Sequence, residues 1–283
     1  MKAEESGGSA PWSRAIDSLA GAETIVDALL TRYVIDAGGQ RFRPVEVELY
    51  LHGAGHPDPF THGHREQERA GYWYLHRSGP NGGFKGGSFK GIDLACGQPG
   101  APAGILIRSL QRTDGDDVGA FIIGPSLWVD ALLAATGCAR VPDLHAAMGE
   151  LGVGTSENPV RLVASDELPE RRQFRTARVG LTLKDRSALD LRMHFVMGPY
   201  RWLTAPRAIK KGRLLLLVAL LADGWPRADI AALTGSPSSA IDRAATRLAE
   251  GRALPLAEFV GKDLDSVALA RMYGSFLARE ERP

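Results

Sequence analysis

The chain is poor in the features that mark special classes of protein. Only 2 cysteines occur in 283 residues, Cys96 and Cys138, far apart and outside any CxxC spacing. That excludes a disulfide framework and a cysteine zinc cluster and leaves buried free thiols as the expectation. Long apolar runs are missing: the longest, Leu214 to Leu221, falls far short of the roughly 20 residues that span a bilayer, so no membrane partner is expected. No charge of one sign dominates. The 34 basic and 33 acidic residues leave +1, so any contact with nucleic acid has to come from a local patch. The start, MKAEESGGSAPW, has no apolar core behind a basic end, which argues against a secretory signal and makes the cytoplasm the expected compartment. A Walker loop is missing too, because FKGGSFKG lacks the GxxxxGK spacing that cradles phosphates.

What is present is patterned unevenly. Residues 1–10 read as a disordered polar tail. Trp12, Ile16, Leu19, Ile25, Ala28 and Leu29 fall at helical spacing, giving one or two short helices that cover a sheet up to Tyr33. After a turn at Gly38 and Gly39, RFRPVEVELYL alternates Val45, Val47, Leu49 and Leu51 with Glu46, Glu48 and Tyr50, a half-buried strand with both glutamates and the tyrosine on its polar face. A loop with His52, His56, Asp58, His62 and His64 follows. It is read as a solvated or base-contacting loop, with metal ligation by His56, Asp58, His62 and His64 as the alternative. GYWYLHR then forms a short strand with Tyr72, Tyr74 and His76 on one face. The next stretch carries Arg77, Phe84, Lys85, Phe89 and Lys90 among glycines and no carboxylate, a mobile basic loop suited to a nucleic-acid backbone.

Further on, GILIRSLQR is a strand carrying Arg108, and Gly124, Pro125 and Ser126 open an amphipathic helix with Ser126 as its expected cap. Residues 142–159 look loose. Two more strands are expected at 175–182 and 191–204. At Pro206 to Gly212 the composition shifts to a basic link, beyond which all is helical. A helix from Pro226 to Gly235, a three-residue turn, and a second helix capped near Ser236 or Ser238 have the order of a helix-turn-helix, with Arg243 and Arg247 as its DNA-facing candidates. A structural or dimerising appendage is the alternative.

In their order, RPVEVELYL, DPFTH, YWYLHR, GILIRSL, IIGPSLWVDAL, RVGLT and MGPYRWLT resemble the alkyladenine (methylpurine) DNA glycosylase family over residues 39–206. The resemblance implies an enzyme of base-excision repair. It would flip a damaged purine out of double-stranded DNA and hydrolyse the N-glycosidic bond with activated water, without metal or cofactor. It further implies Glu48 as general base, Arg108 near the catalytic water, Tyr50 on one face of the flipped base, and His62 with Tyr74 on the other. Asp93 falls near the position of a purine-discriminating asparagine. Arg77 takes the place of the family's inserted aromatic wedge, with Phe84 or Phe89 able to serve instead.

The expected architecture is therefore α+β. A tail at 1–10 precedes a domain at 11–205 with one mixed, mostly antiparallel sheet and flanking helices. A small helix-turn-helix-like segment occupies 206–283, in a chain read as monomeric. Two other readings stand beside this one: a noncatalytic nucleic-acid-binding protein on the same scaffold, and a glycosidase acting on RNA or on a modified nucleoside.

Overall fold

The computed structural model describes residues 10–79, 81–185 and 187–280, so all but the last residue of the expected tail lies outside the described residues. The chain divides into two compact units, Met1–Pro57 with Thr61–Glu170, and Asp58–Phe60 with Arg171–Pro283.

In the first unit, helix α1 (Leu19–Thr31) is capped by Ser18 and buries Ile25, Val26, Leu29 and Leu30 against the sheet. Tyr33 does not end the helix. It opens strand β1 (Tyr33–Ala37), whose Val34 and Ile35 favour extended backbone. Gly38 and Gly39, at φ +55° and +82°, then supply a turn that residues with a Cβ rarely make, and β2 (Gln40–Gly53) returns antiparallel to β1. The chain continues through β3 (His56–Pro57), β4 (Tyr72–Leu75), β5 (Ile92–Ala95), β6 (Ala103–Arg112) and β7 (Phe121–Ile123). Helices α2 (Pro125–Thr136) and α3 (Val141–Met148) and strand β8 (Val160–Ala164) complete it.

The strand order is β4-β5-β6-β2-β1-β8, with β3 beside β2 and β7 beside β6, all antiparallel. The fold is thus α+β on a large, mostly antiparallel sheet. Trp128 of α2 packs its ring against Phe42 at 5.1 Å, closing the core over β6.

Several expectations are corrected here. The stretch at 142–159 holds most of α3. Helix α2 is capped by Gly124, not Ser126, because Pro125, which has no N–H to satisfy, takes the first helical position and leaves Ser126 inside the first turn. Cys96 is buried, but Cys138 is only half-buried.

The second unit starts at Arg171, well before Pro206. Strand β9 (Phe174–Thr176) pairs with β10 (Arg201–Leu203), and between them lies helix α4 (Leu189–Met197), where an apolar run read as strand is helical. Periodicity does not separate helix from strand in so short a run. Helices α5 (Arg213–Ala222), α6 (Arg227–Thr234), α7 (Ser238–Gly251) and α8 (Ser266–Glu280) follow, and α4 packs on α8, which is why the boundary moves upstream. The link at 206–212 is internal to this unit, where the Arg201 guanidinium donates to the carbonyls of Lys211 and Gly212. Helix α6, the turn at 235–237 and α7 keep the helix-turn-helix order, although Pro237, with no side-chain bond, stands at the cap. Among the described residues no helix is long and apolar enough to cross a membrane.

Candidate functional site

The site grows from the register of four strands. Glu48 lies opposite Leu106, Leu106 opposite Asp93, and Asp93 opposite Tyr74, so one row crosses β2, β6, β5 and β4. The neighbouring row is Tyr50, Gly104, Ala95 and Tyr72. Residues directly opposite in antiparallel strands share a face. Glu48 and Tyr50 therefore rise from the same face as Tyr74 and Asp93, with β2 and β4 about 14 Å apart across three strand spacings.

On the β2 side the two glutamates of the polar face are sealed, not solvent-facing as a half-buried strand predicts, while Tyr50 is half-buried. Glu48 is 0 %, Glu46 2 % and Arg108 6 % exposed. The Arg108 guanidinium donates from Nη1 to Glu48 Oε2 at 3.2 Å and from Nε to Glu46 Oε1 at 3.1 Å. The Tyr50 hydroxyl donates to Glu48 Oε2 at 3.0 Å, and the Ser109 hydroxyl donates to Glu46. Regular pairing would not bring one arginine to two carboxylates on a neighbouring strand. The β2–β6 register shifts on both sides of Glu46, and Arg108 is the residue skipped between Ser109 and Ile107. Such a bulge re-aims a side chain. Burial works against the charge of Arg108, but Glu48 and then Glu46 outweigh it and hold the guanidinium above its ordinary pKa.

The β4 side is built of rings. His62 Nδ1 lies 3.3 Å from the Tyr74 hydroxyl and its Nε2 3.2 Å from Lys85 Nζ. The ammonium is a donor, so Nε2 accepts, and a neutral His62 carries its proton on Nδ1 toward Tyr74. Burial, then the adjacent His76, lowers the His62 pKa to about 4 and keeps the ring uncharged at neutral pH. Burial likewise raises the pKa of the Tyr74 hydroxyl and lowers that of His64. His64 stacks on Tyr74 with centroids 5.3 Å apart. It also caps the 3-10 turn Arg65–Glu68, its Nδ1 accepting from the Glu66 N–H.

Asp93 is pinned at both oxygens, by His76 Nε2 at 2.6 Å and by the Gln67 amide, which donates at 3.1 Å. A Cβ on Gly104 would lie 2.7 Å from that carboxylate, so glycine is required there. His56 and His64 are buried, against the expectation of a solvated loop; His52 is exposed. Among the described residues no three His, Cys, Asp or Glu are grouped to hold a metal.

The basic loop is partly committed to internal contacts. Arg77 donates to Glu66 at 2.7 Å and lies 4.0 Å over the Phe84 ring, whose centroid is 5.0 Å from that of His145. Lys90 pairs with Asp130. Phe89 is 76 % exposed, and Lys85 has no carboxylate in ion-pair reach among the described residues. Arg243 and Arg247 lie on α7 of the second unit. Arg243 is exposed, and Arg247 is held by Glu250.

Of the residues singled out from the sequence, Glu48, Tyr50 and Arg108 are bonded to one another, His62 and Tyr74 meet at 3.3 Å, and Asp93 lies opposite Tyr74. The sequence alone did not show the Glu46–Ser109 contact or the His76–Asp93–Gln67 bracket. A carboxylate two residues before another on one strand, and His76 sharing a face with Tyr74, were the available signals.

No protein-family model matches the chain. It is similar to an uncharacterised protein of Acanthamoeba polyphaga mimivirus, 29% identical over 205 residues that cover 68% of this chain and 89% of that protein. No solved structure matches it.

Proposed function

We propose that this protein is a purine DNA glycosylase of the alkyladenine type, with Glu48 activating the attacking water. The observation that carries the reading is the fully buried Glu48, held by Tyr50 and Arg108 on the sheet face that also bears the ring wall of Tyr74 and His62. Burying a carboxylate is costly unless it is paired, and an ordinary strand would fill that position with an apolar side chain.

The chemistry follows from these groups. An N3- or N7-alkylated purine is cationic and leaves readily, so the protein must hold the base and supply water. The C1′–N bond breaks with its electron pair going to the base, which departs neutral. The water oxygen bonds to C1′, and its proton passes to Glu48. Tyr50 covers one face of the base and Tyr74 with His62 the other. An uncharged His62 matters for this, because an imidazolium would repel a cationic base.

The departures from the family also find residues. Arg77 and Phe84 are bound to each other, so exposed Phe89 is the residue for the gap left by the flipped nucleotide, and Lys85 meets phosphate. The test is release of 3-methyladenine, 7-methylguanine, ethenoadenine or hypoxanthine from duplexes, scored as alkali-labile sites. Equal behaviour of wild type and Glu48→Gln on every lesion sinks the reading.

A second reading, DNA binding without catalysis, draws on exposed Arg243 in α7. Duplex binding that survives Glu48→Gln, is lost in Arg243→Ala and is accompanied by no base release selects it. Base release from a free nucleoside would instead point to a nucleoside hydrolase.

A further inference from the structure

We infer that Glu46, with Ser109, is a positioning residue that sets Arg108 against the catalytic carboxylate; the inference rests on the glycosylase reading above. Glu46 is spaced two residues from Glu48 and is equally sealed from solvent. Its bonds run to the bulge of β6: Oε1 accepts from Arg108 Nε at 3.1 Å and Oε2 accepts from the Ser109 hydroxyl. With Nε so held, the planar guanidinium is fixed in orientation, and Nη1 meets Glu48 Oε2 at 3.2 Å end-on rather than through a bidentate fork. Two carboxylates fixed by one guanidinium from a register shift make a bracket. Glu46 takes the arginine's side edge, and Glu48 keeps only one of its nitrogens. The bracket keeps the positive charge in place against Glu48, so Glu46 acts through Arg108.

The experiment is single-turnover kinetics of the full-length chain on a duplex carrying 7-methylguanine. The variants are Glu46→Gln, Glu46→Asp, Ser109→Ala and Arg108→Ala, with the double variant Glu46→Gln/Arg108→Ala. A displaced catalytic contact of this kind costs roughly 10–100-fold in rate. Glu46→Gln is expected to lose that much in the maximal rate, with the half-saturating protein concentration unchanged within about twofold. Ser109→Ala, which loosens Glu46 without altering its charge, loses less, and Glu46→Asp recovers part of the rate. In the Arg108→Ala background Glu46→Gln adds nothing, since the residue acts through the missing arginine. A Glu46→Gln loss that persists in full in that background, or that weakens binding and thermal stability together with rate, overturns the inference. Should the wild type release no base from any lesion, the glycosylase reading fails and this inference with it. Release by wild type with full-rate Glu46→Gln defeats the inference alone.

Discussion

The two banks of the site are built on opposite principles. On β2 and β6 the bank is charged: Glu46 and Glu48 are sealed and both bonded to Arg108, and a register shift aims the arginine. On β4 and the preceding loop, His62, His64 and Tyr74 are rings that burial biases toward their uncharged forms, His62 edge-on to Tyr74 and His64 stacked on it. The contrast teaches a division of labour. A charged bank cannot adapt without a large electrostatic cost, so it suits a reacting atom whose position must not change. A neutral ring bank tolerates different planar guests because every one has a π face.

The contrast breaks most sharply at Glu48. Glu48→Gln keeps the shape and one acceptor oxygen but cannot take a proton. Base release is expected to fall by about 10²–10⁴-fold, the range that a general base supplies. Single-turnover cleavage of 7-methylguanine and hypoxanthine duplexes measures it, with binding of the same duplexes preserved. A loss below tenfold would mean that the charged bank is structural.

The same contrast explains what could be read from the residues in order. Glu48 and Tyr50 were legible because a strand's two-residue period puts them on one face, and Val47 and Leu49 mark the other. Arg108 was legible as a residue but not as a buried one, since the bulge that turns it inward is a property of two paired strands and leaves no mark in either. The His62–Tyr74 contact spans a loop and emerged only through resemblance to a family. The His76–Asp93 bond depends on β4 lying opposite β5, and the domain boundary on α4 folding as helix against α8; both are set by partners distant in the chain. The α+β class needed only local signals, strands with period two and helices with period 3.6, and it is the class observed.

The ring bank should show itself through pH. His62 titrates near 4 in the fold against an ordinary 6.5. Between those values the unfolded chain binds the proton that the folded chain refuses. Stability tied to this ring is complete above pH 6.5 and is lost as pH falls toward 4, by an amount of the order of 3 kcal/mol. Urea melts of wild type and His62→Gln between pH 4 and 7 isolate it, because the difference between the two proteins cancels the other groups. A constant difference across that window would show that the ring is not held neutral. Outside both banks, Phe89→Ala is expected to weaken binding to a lesion duplex by about tenfold, one lost stacking contact, while single-stranded DNA is bound as before. Fluorescence anisotropy distinguishes the two, and an equal loss on both would make Phe89 a general DNA contact.

The smallest effect is the most telling for the ring bank. Tyr74→Phe keeps the six-membered face and removes only the hydroxyl that accepts from His62, 3.3 Å away. A neutral hydrogen bond of this kind contributes about 1 kcal/mol, and its loss leaves a buried Nδ1–H without its acceptor. The His62 ring then loosens, but both stacking faces remain. In a Glu48→Gln background, where lesions stay intact, affinity for an ethenoadenine duplex should therefore drop only about threefold to fivefold in Tyr74→Phe, and by tenfold or more in Tyr74→Leu, where the face itself is gone. If Phe and Leu at this position behave alike, the hydroxyl and not the ring is what the bank supplies. The neutral side of the site would then be a hydrogen-bonding device like the charged one, and the contrast between the two banks would collapse.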